Sequence, residues 1–216
     1  MKPKLNKEEK LTLNTYKKIA RQWAREHSDN IWSKEIAIFK KYLPKGKILE
    51  IGSGDGRDAK QLIKMGYQYI GTDISKELLK VAKMNNPKAK FYNQSVYELD
   101  FPDNYFDGFW ASAVLLHIPK VRINEALKRI QYVTKNKGLG FITLKRGEGE
   151  KIVEEVTETG MKYKRLFSYY LLDEFKKILK KNGFDIIKSS QKRMGKTTWL
   201  IYFVRAIKRD KKLELF

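Results

Sequence analysis

Three glycines at alternate positions, Gly52, Gly54 and Gly56, follow a short apolar run, "KILEI", and precede a stretch with helical spacing. A strand that enters a glycine turn and leaves as a helix opens a βαβ unit, which commits the chain to a parallel sheet with crossover helices. The same turn restricts the ligand. A dinucleotide fingerprint needs a third glycine six positions into the motif, and Arg57 stands there. A triphosphate loop needs Lys followed by Ser or Thr, and neither pair follows. Glu50, ahead of the glycines, would repel a pyrophosphate and suits an amino-bearing ligand. Asp73 closes the next apolar run, "YIGTDI", where a carboxylate can accept hydrogen bonds from both hydroxyls of a ribose. Together these residues point to a phosphate-free nucleoside with a charged amino-acid tail. The blander alternative makes the glycines purely structural and Asp73 a neighbour of a helix cap.

The pattern along the chain supports the same architecture. Amphipathic spacing predicts helices over 7–27 and 31–43, the first carrying Leu13, Tyr16, Ala20 and Trp23 on one stripe. Strands are expected at 47–51, 67–74, 89–94, within 105–114, and at 138–145, with helices at 58–65, 76–84 and 123–133 between them. A helix at 171–183 and two strands, "FDIIKSS" and "TWLIYFVRAI", complete the chain. Strands alternating with helices imply a doubly wound, mainly parallel α/β sheet. The link between the last two strands, "QKRMGK", has no room for a crossover helix, so that pair must be an antiparallel hairpin. One domain over 1–216 is expected. It comprises a helical lid (1–45), a ligand-binding core (46–145), an insertion (146–170), and a C-terminal helix and hairpin (171–216).

Composition sets outer bounds. The chain of 216 residues is long enough to bury a substantial core, and it contains no cysteine, which excludes disulfides, thiolate metal sites and a cysteine nucleophile. No metal site is expected. No apolar run approaches ~18 residues and no apolar leader opens the chain, so neither a membrane span nor a signal peptide is expected. A cytoplasmic location is the default. The formal net charge is +21, from 46 Lys and Arg against 25 Asp and Glu. That charge suits an anionic partner such as RNA, or simply a Lys-rich solvated surface.

With these residues in view, the segment from Lys47 to Leu144 resembles the core of the class I S-adenosylmethionine (SAM)-dependent methyltransferases. "ILEIGSGDGRDA" is similar to the family's first motif and "YIGTDIS" to its second. "NQSVYELDFPDNYFDGFWASAVLLHIP" and "GLGFITL" resemble the segments that follow. The resemblance implies a seven-stranded, Rossmann-like sheet ending in an antiparallel hairpin, and SAM as cofactor with S-adenosylhomocysteine (SAH) as product. It implies that Glu50, Gly52, Ser53, Gly54 and Gly56 hold the methionine part. Asp73 would bind the ribose and Ile74 pack on the adenine. Val96 would offer its backbone N–H to the ring, and Ala111 would lie near the tail. Ser95 stands where the family commonly has Asp, so the adenine contact there would be uncharged.

The acceptor side is less constrained. His117, in "LLHIP", is the candidate catalytic base or acceptor contact, or else a structural residue bonded to backbone. Tyr16 and Trp23 are lid candidates or core aromatics. The insertion at 146–170 is too long for a tight turn and is expected to cover the acceptor pocket, with Lys145, Arg165 and Tyr169 as contacts. A small-molecule acceptor is the first expectation and RNA, tRNA included, the alternative. A SAM-fold protein without catalysis and a nicotinamide oxidoreductase rank lower.

Overall fold

A computed structural model describes residues 4–27 and 31–208. Residues 1–3 and 28–30 of the expected lid segment, and 209–216 of the C-terminal segment, lie outside the described residues.

Two helices lead, α1 (Lys7–Glu26) and α2 (Ser33–Tyr42). Asn6 caps α1 by accepting from the Glu9 backbone N–H at 2.8 Å, while the Glu9 carboxylate accepts from the Asn6 N–H at 2.9 Å. The alternating region follows as β1 (Lys47–Ile51), α3 (Arg57–Lys64), β2 (Gln68–Asp73), α4 (Lys76–Asn85), β3 (Lys90–Asn93), β4 (Phe106–Ala111), α5 (Ile123–Val133) and β5 (Thr134–Lys145). Strand β5 starts four residues before the expected position. Its first residue pairs with Phe106 ahead of a register shift.

The chain then departs from plain alternation. Residues 146–170 are not a loose covering loop. They contain an antiparallel hairpin, β6 (Glu150–Val156) and β7 (Lys162–Ser168), which forms a separate two-stranded sheet. Helix α6 (Leu172–Lys181), β8 (Phe184–Met194) and β9 (Thr197–Ala206) complete the main sheet. The polar segment 191–196 is mostly strand rather than link. Strand β8 runs to Met194, and the turn is confined to Gly195 and Lys196.

The seven strands lie in the order β3-β2-β1-β4-β5-β9-β8. Six run in one direction, β1 to β5 and β8, and β9 alone inserts antiparallel, between β5 and β8. The strand pleat sorts side chains to two faces. Leu49 and Ile51 join Phe109, Leu127 and Ile130 under α5 and α6. Ile48 and Trp110 join Phe39, Leu62 and Leu79 under α2, α3 and α4, where Trp110 stacks on Phe141 at 3.7 Å. The order reverses between β1 and β4, so the carboxyl ends of these strands open the crevice where ligands sit in such sheets. Helix α1 crosses that opening. Thr15 donates to the Lys164 carbonyl, and Thr12 accepts from the Leu166 N–H at 2.9 Å, which fastens α1 to β7.

Candidate functional site

A cavity of about 330 Å³ lies over the crevice, walled by the ends of β1, β2, β4 and β5 and roofed by α1 and β7. It has two chemically distinct halves.

The first half is built by the glycine turn and Asp73. Gly52, Gly54 and Gly56 all have left-handed backbone, with φ between +56° and +77°. A Cβ on Gly52 would meet Val114 Cγ2 at 2.4 Å, whereas one on Gly54 would meet nothing within 4 Å. Gly52 is therefore demanded by packing, while Gly54 presents open backbone to the cavity. Asp73 Oδ2 accepts from the Gly54 N–H at 2.9 Å and Oδ1 from the Ser75 N–H at 2.8 Å. Burial pushes the Asp73 carboxyl up to about 6, with the backbone donors opposing the shift. Ile74, Ser95 and Val96 also border this half. Ser95 Oγ accepts from the Tyr97 N–H at 3.3 Å and so caps a short 3₁₀ turn.

Four residues expected at this ligand do not border the cavity: Glu50, Ser53, Gly56 and Ala111. Glu50 is the informative case. The pleat places its side chain on the face of Ile48, behind the glycine turn, where it accepts from the Tyr69 hydroxyl. Burial, with Asp58 adding to it, holds its carboxyl well above the usual range. It braces β1 against β2 from within the core.

Sequence reasoning missed three asparagines that hold the turns. Asn86 Nδ2 donates to the Gly56 carbonyl at 2.8 Å, and Asn85 Nδ2 to the Asp55 carbonyl at 3.0 Å. Asn93 Nδ2 bridges the carbonyls of Asp73 and Ile74 at 2.9 and 2.8 Å. In sequence, "NN" after α4 signals only a helix end.

The second half is a chain of engaged polar groups. Arg165, 4% exposed, donates through Nε and Nη2 to Glu155 Oε2, and through Nη1 to the Tyr16 hydroxyl at 2.6 Å. The Tyr16 hydroxyl lies 3.1 Å from His117 Nε2, and His117 Nδ1 lies 2.6 Å from the Leu166 carbonyl. A carbonyl only accepts, so Nδ1 carries the proton and Nε2 accepts from Tyr16. Burial, reinforced by the Arg165 and Lys145 charges, pulls His117 down to about 3, so the ring is neutral. Glu155 was absent from the sequence reading because no local spacing links a β6 carboxylate to Arg165.

Trp23 and Lys145 complete this half. The Arg165 guanidinium sits 4.5 Å from the Trp23 ring centre, and Trp23 stacks on His27 at 3.5 Å. Lys145 Nζ sits 3.9 Å from the centre of the Phe167 ring. Tyr16, Trp23, Lys145, Arg165 and His117 line one cavity, and Tyr169 lies outside its lining. Among the described residues no group of His, Asp and Glu could hold a metal ion.

Known proteins share this fold. Residues 49–142 match a family model described as a methyltransferase domain. An uncharacterized protein of Methanocaldococcus jannaschii is 34% identical over 187 residues, covering 83% of this chain and 85% of that protein. Among solved structures, the DhpI–SAH complex superposes with a TM-score of 0.74 at 17% identity, covering 94% of this chain and 98% of that one. The Burkholderia thailandensis 1,6-didemethyltoxoflavin-N1-methyltransferase, solved with 1,6-didemethyltoxoflavin and SAH, gives 0.67 at 20% identity over 91% of this chain and 85% of that one.

Proposed function

Because the chain belongs to the methyltransferase-domain family, we propose that it transfers a methyl group from S-adenosylmethionine to a small-molecule acceptor. The observation that carries the cofactor is Asp73. Its carboxylate stands at the end of β2, against the open backbone of Gly54, on the wall of the cavity. A carboxylate there accepts from both hydroxyls of a ribose, and the bare backbone beside it lets an amino-acid tail approach closely. In this reading Asp73 holds the ribose, Ile74 and Val96 enclose the adenine, and Ser95 lies near its edge. The backbone of Gly52 and Gly54 receives the methionine part.

SAM brings a methyl group already activated on a sulfonium. The protein then has to align the acceptor, exclude water and manage any proton the acceptor loses. Helix α1 and β7 exclude water by closing over the crevice. Arg165 and His117 hold the Tyr16 hydroxyl from both sides, so Tyr16 presents a fixed ring edge to the acceptor half. His117 has both ring nitrogens engaged and acts as a positioning residue for Tyr16.

A small acceptor is favoured over RNA by the roof. The cavity is covered by α1 and the β6–β7 hairpin, and its lining is aromatic rather than a cationic groove. The two solved neighbours, both complexes with SAH, support the same class of cofactor.

Calorimetric titration with SAM and SAH tests the reading. Both should bind, and Asp73→Ala should weaken SAH roughly tenfold or more, the loss expected for removing a charge-assisted hydrogen-bond acceptor. Binding of NAD without binding of SAM or SAH would overturn it.

A further inference from the structure

Three cationic side chains other than histidine border the cavity: Arg57, Lys145 and Arg165. Two are already committed. Arg165 is paired with Glu155, and Arg57 donates to the His27 carbonyl at 2.7 Å with Asp55 at 3.9 Å. Lys145 is not. Among the described residues no carboxylate lies within 4 Å of its Nζ, and none forms a hydrogen bond with that atom. Its nearest partner is the face of Phe167.

The placement of Lys145 is built, not incidental. It is the last residue of β5, pinned in register against Trp199 of β9, and it is only partly exposed. Burial lowers its affinity for a proton, and the Arg165 charge adds to that, while Glu155 opposes it. A half-buried ammonium with no anion beside it forgoes water without recovering the interaction. The carboxylates of this cavity have other partners: Glu9 is paired with Arg122, Asp73 belongs to the cofactor half, and Glu155 is bonded to Arg165 and reaches Lys145 only through its field. The Phe167 ring faces Lys145, Trp199 is its partner across β5 and β9, and Tyr16 and Trp23, edge to face at 5.6 Å, add aromatic surface to the same cavity.

We propose that the acceptor is a small planar organic acid, its anionic oxygen held by Lys145 Nζ and its ring lying against the aromatic wall. The inference rests on the methyltransferase reading, since it assigns the acceptor half of the same cavity. Charge-assisted contact gives affinity, and the aromatic faces select planarity.

The test uses the full chain saturated with SAH and matched pairs of probes: benzoate with benzamide, nicotinate with nicotinamide, and quinoline-2-carboxylate with its amide. Affinities are read by ligand-observed NMR near neutral pH. In at least one pair the acid should bind about tenfold tighter than the amide, the scale of one charge-assisted hydrogen bond. Lys145→Met should bring acid and amide within about threefold of each other, and Lys145→Arg should keep the preference. Equal binding of acid and amide overturns the proposal. So does a preference that survives Lys145→Met, or no binding by any probe. If Lys145→Met no longer binds SAH, the wild-type pairs and Lys145→Arg decide. Failure of the wild-type chain to bind SAH sinks the methyltransferase reading itself. SAH binding without acid preference sinks only the acceptor class.

Discussion

At the scale of single residues, environment overrides identity. Glu50 and Asp73 are both acids at strand ends, and both were candidates for the same ligand. The pleat sends Glu50 into the core against Tyr69 and leaves Asp73 on the cavity wall between two backbone donors. Asp73 therefore carries the pH dependence. Its carboxyl is raised to about 6 by burial, so in the ligand-free protein its ionisation costs stability as pH rises from the unfolded value through about 6. Holding a ribose needs the ionised form. SAH affinity should be flat above about pH 6.5 and fall towards tenfold per pH unit below about 6. Calorimetry between pH 5 and pH 8 checks it, and the weaker Asp73→Asn variant should lose the slope. A wild-type affinity unchanged down to pH 5 would remove Asp73 from the ribose. His117, pulled down to about 3, contributes no step in this window.

At the scale of elements, the sheet is packed around what its glycines leave out. Gly140, in β5, pairs with Phe109 of β4 and Val204 of β9. A Cβ there would meet the Phe109 ring at 2.2 Å and Val204 Cγ2 at 2.7 Å. Gly140→Ala should destabilise by about 1–3 kcal/mol, the usual cost of overpacking a filled core. Denaturant unfolding measures it, and adding Phe109→Leu should cost less than the sum of the two single changes, because they share one space. Additive effects would mean that the strands move apart instead. Most elements were legible to this level. The central strands are short apolar runs ending in turns, and α5 shows three-and-four spacing that the structure reproduces over the expected residues. The β6–β7 hairpin was not legible. Strand β6, "EKIVEEV", is largely exposed and has no regular alternation, while β7 passes from exposed to buried at Arg165, so neither strand carries a period of two along its length.

At the scale of the molecule, charge and topology dominate. A net charge of +21 repels itself in the compact state, and dissolved salt screens that repulsion over about 8–10 Å near physiological ionic strength. The melting temperature should rise as sodium chloride increases from low to physiological concentration, as followed by circular dichroism. A fall would mean that local ion pairs such as Arg165–Glu155 outweigh the global field. By itself the sequence determined the βαβ order and the antiparallel end of the sheet, and it marked the glycine turn and Asp73 that meet on one cavity wall, because periodicity and turn chemistry act over a few neighbouring residues. Only the tertiary structure decided that Asp73 and not Glu50 faces the cavity, that Arg165 is already paired with Glu155, and that no described carboxylate lies within 4 Å of Lys145. Those outcomes depend on contacts between residues far apart in the chain, such as Tyr16 with Arg165 and His117, and local pattern carries no record of them.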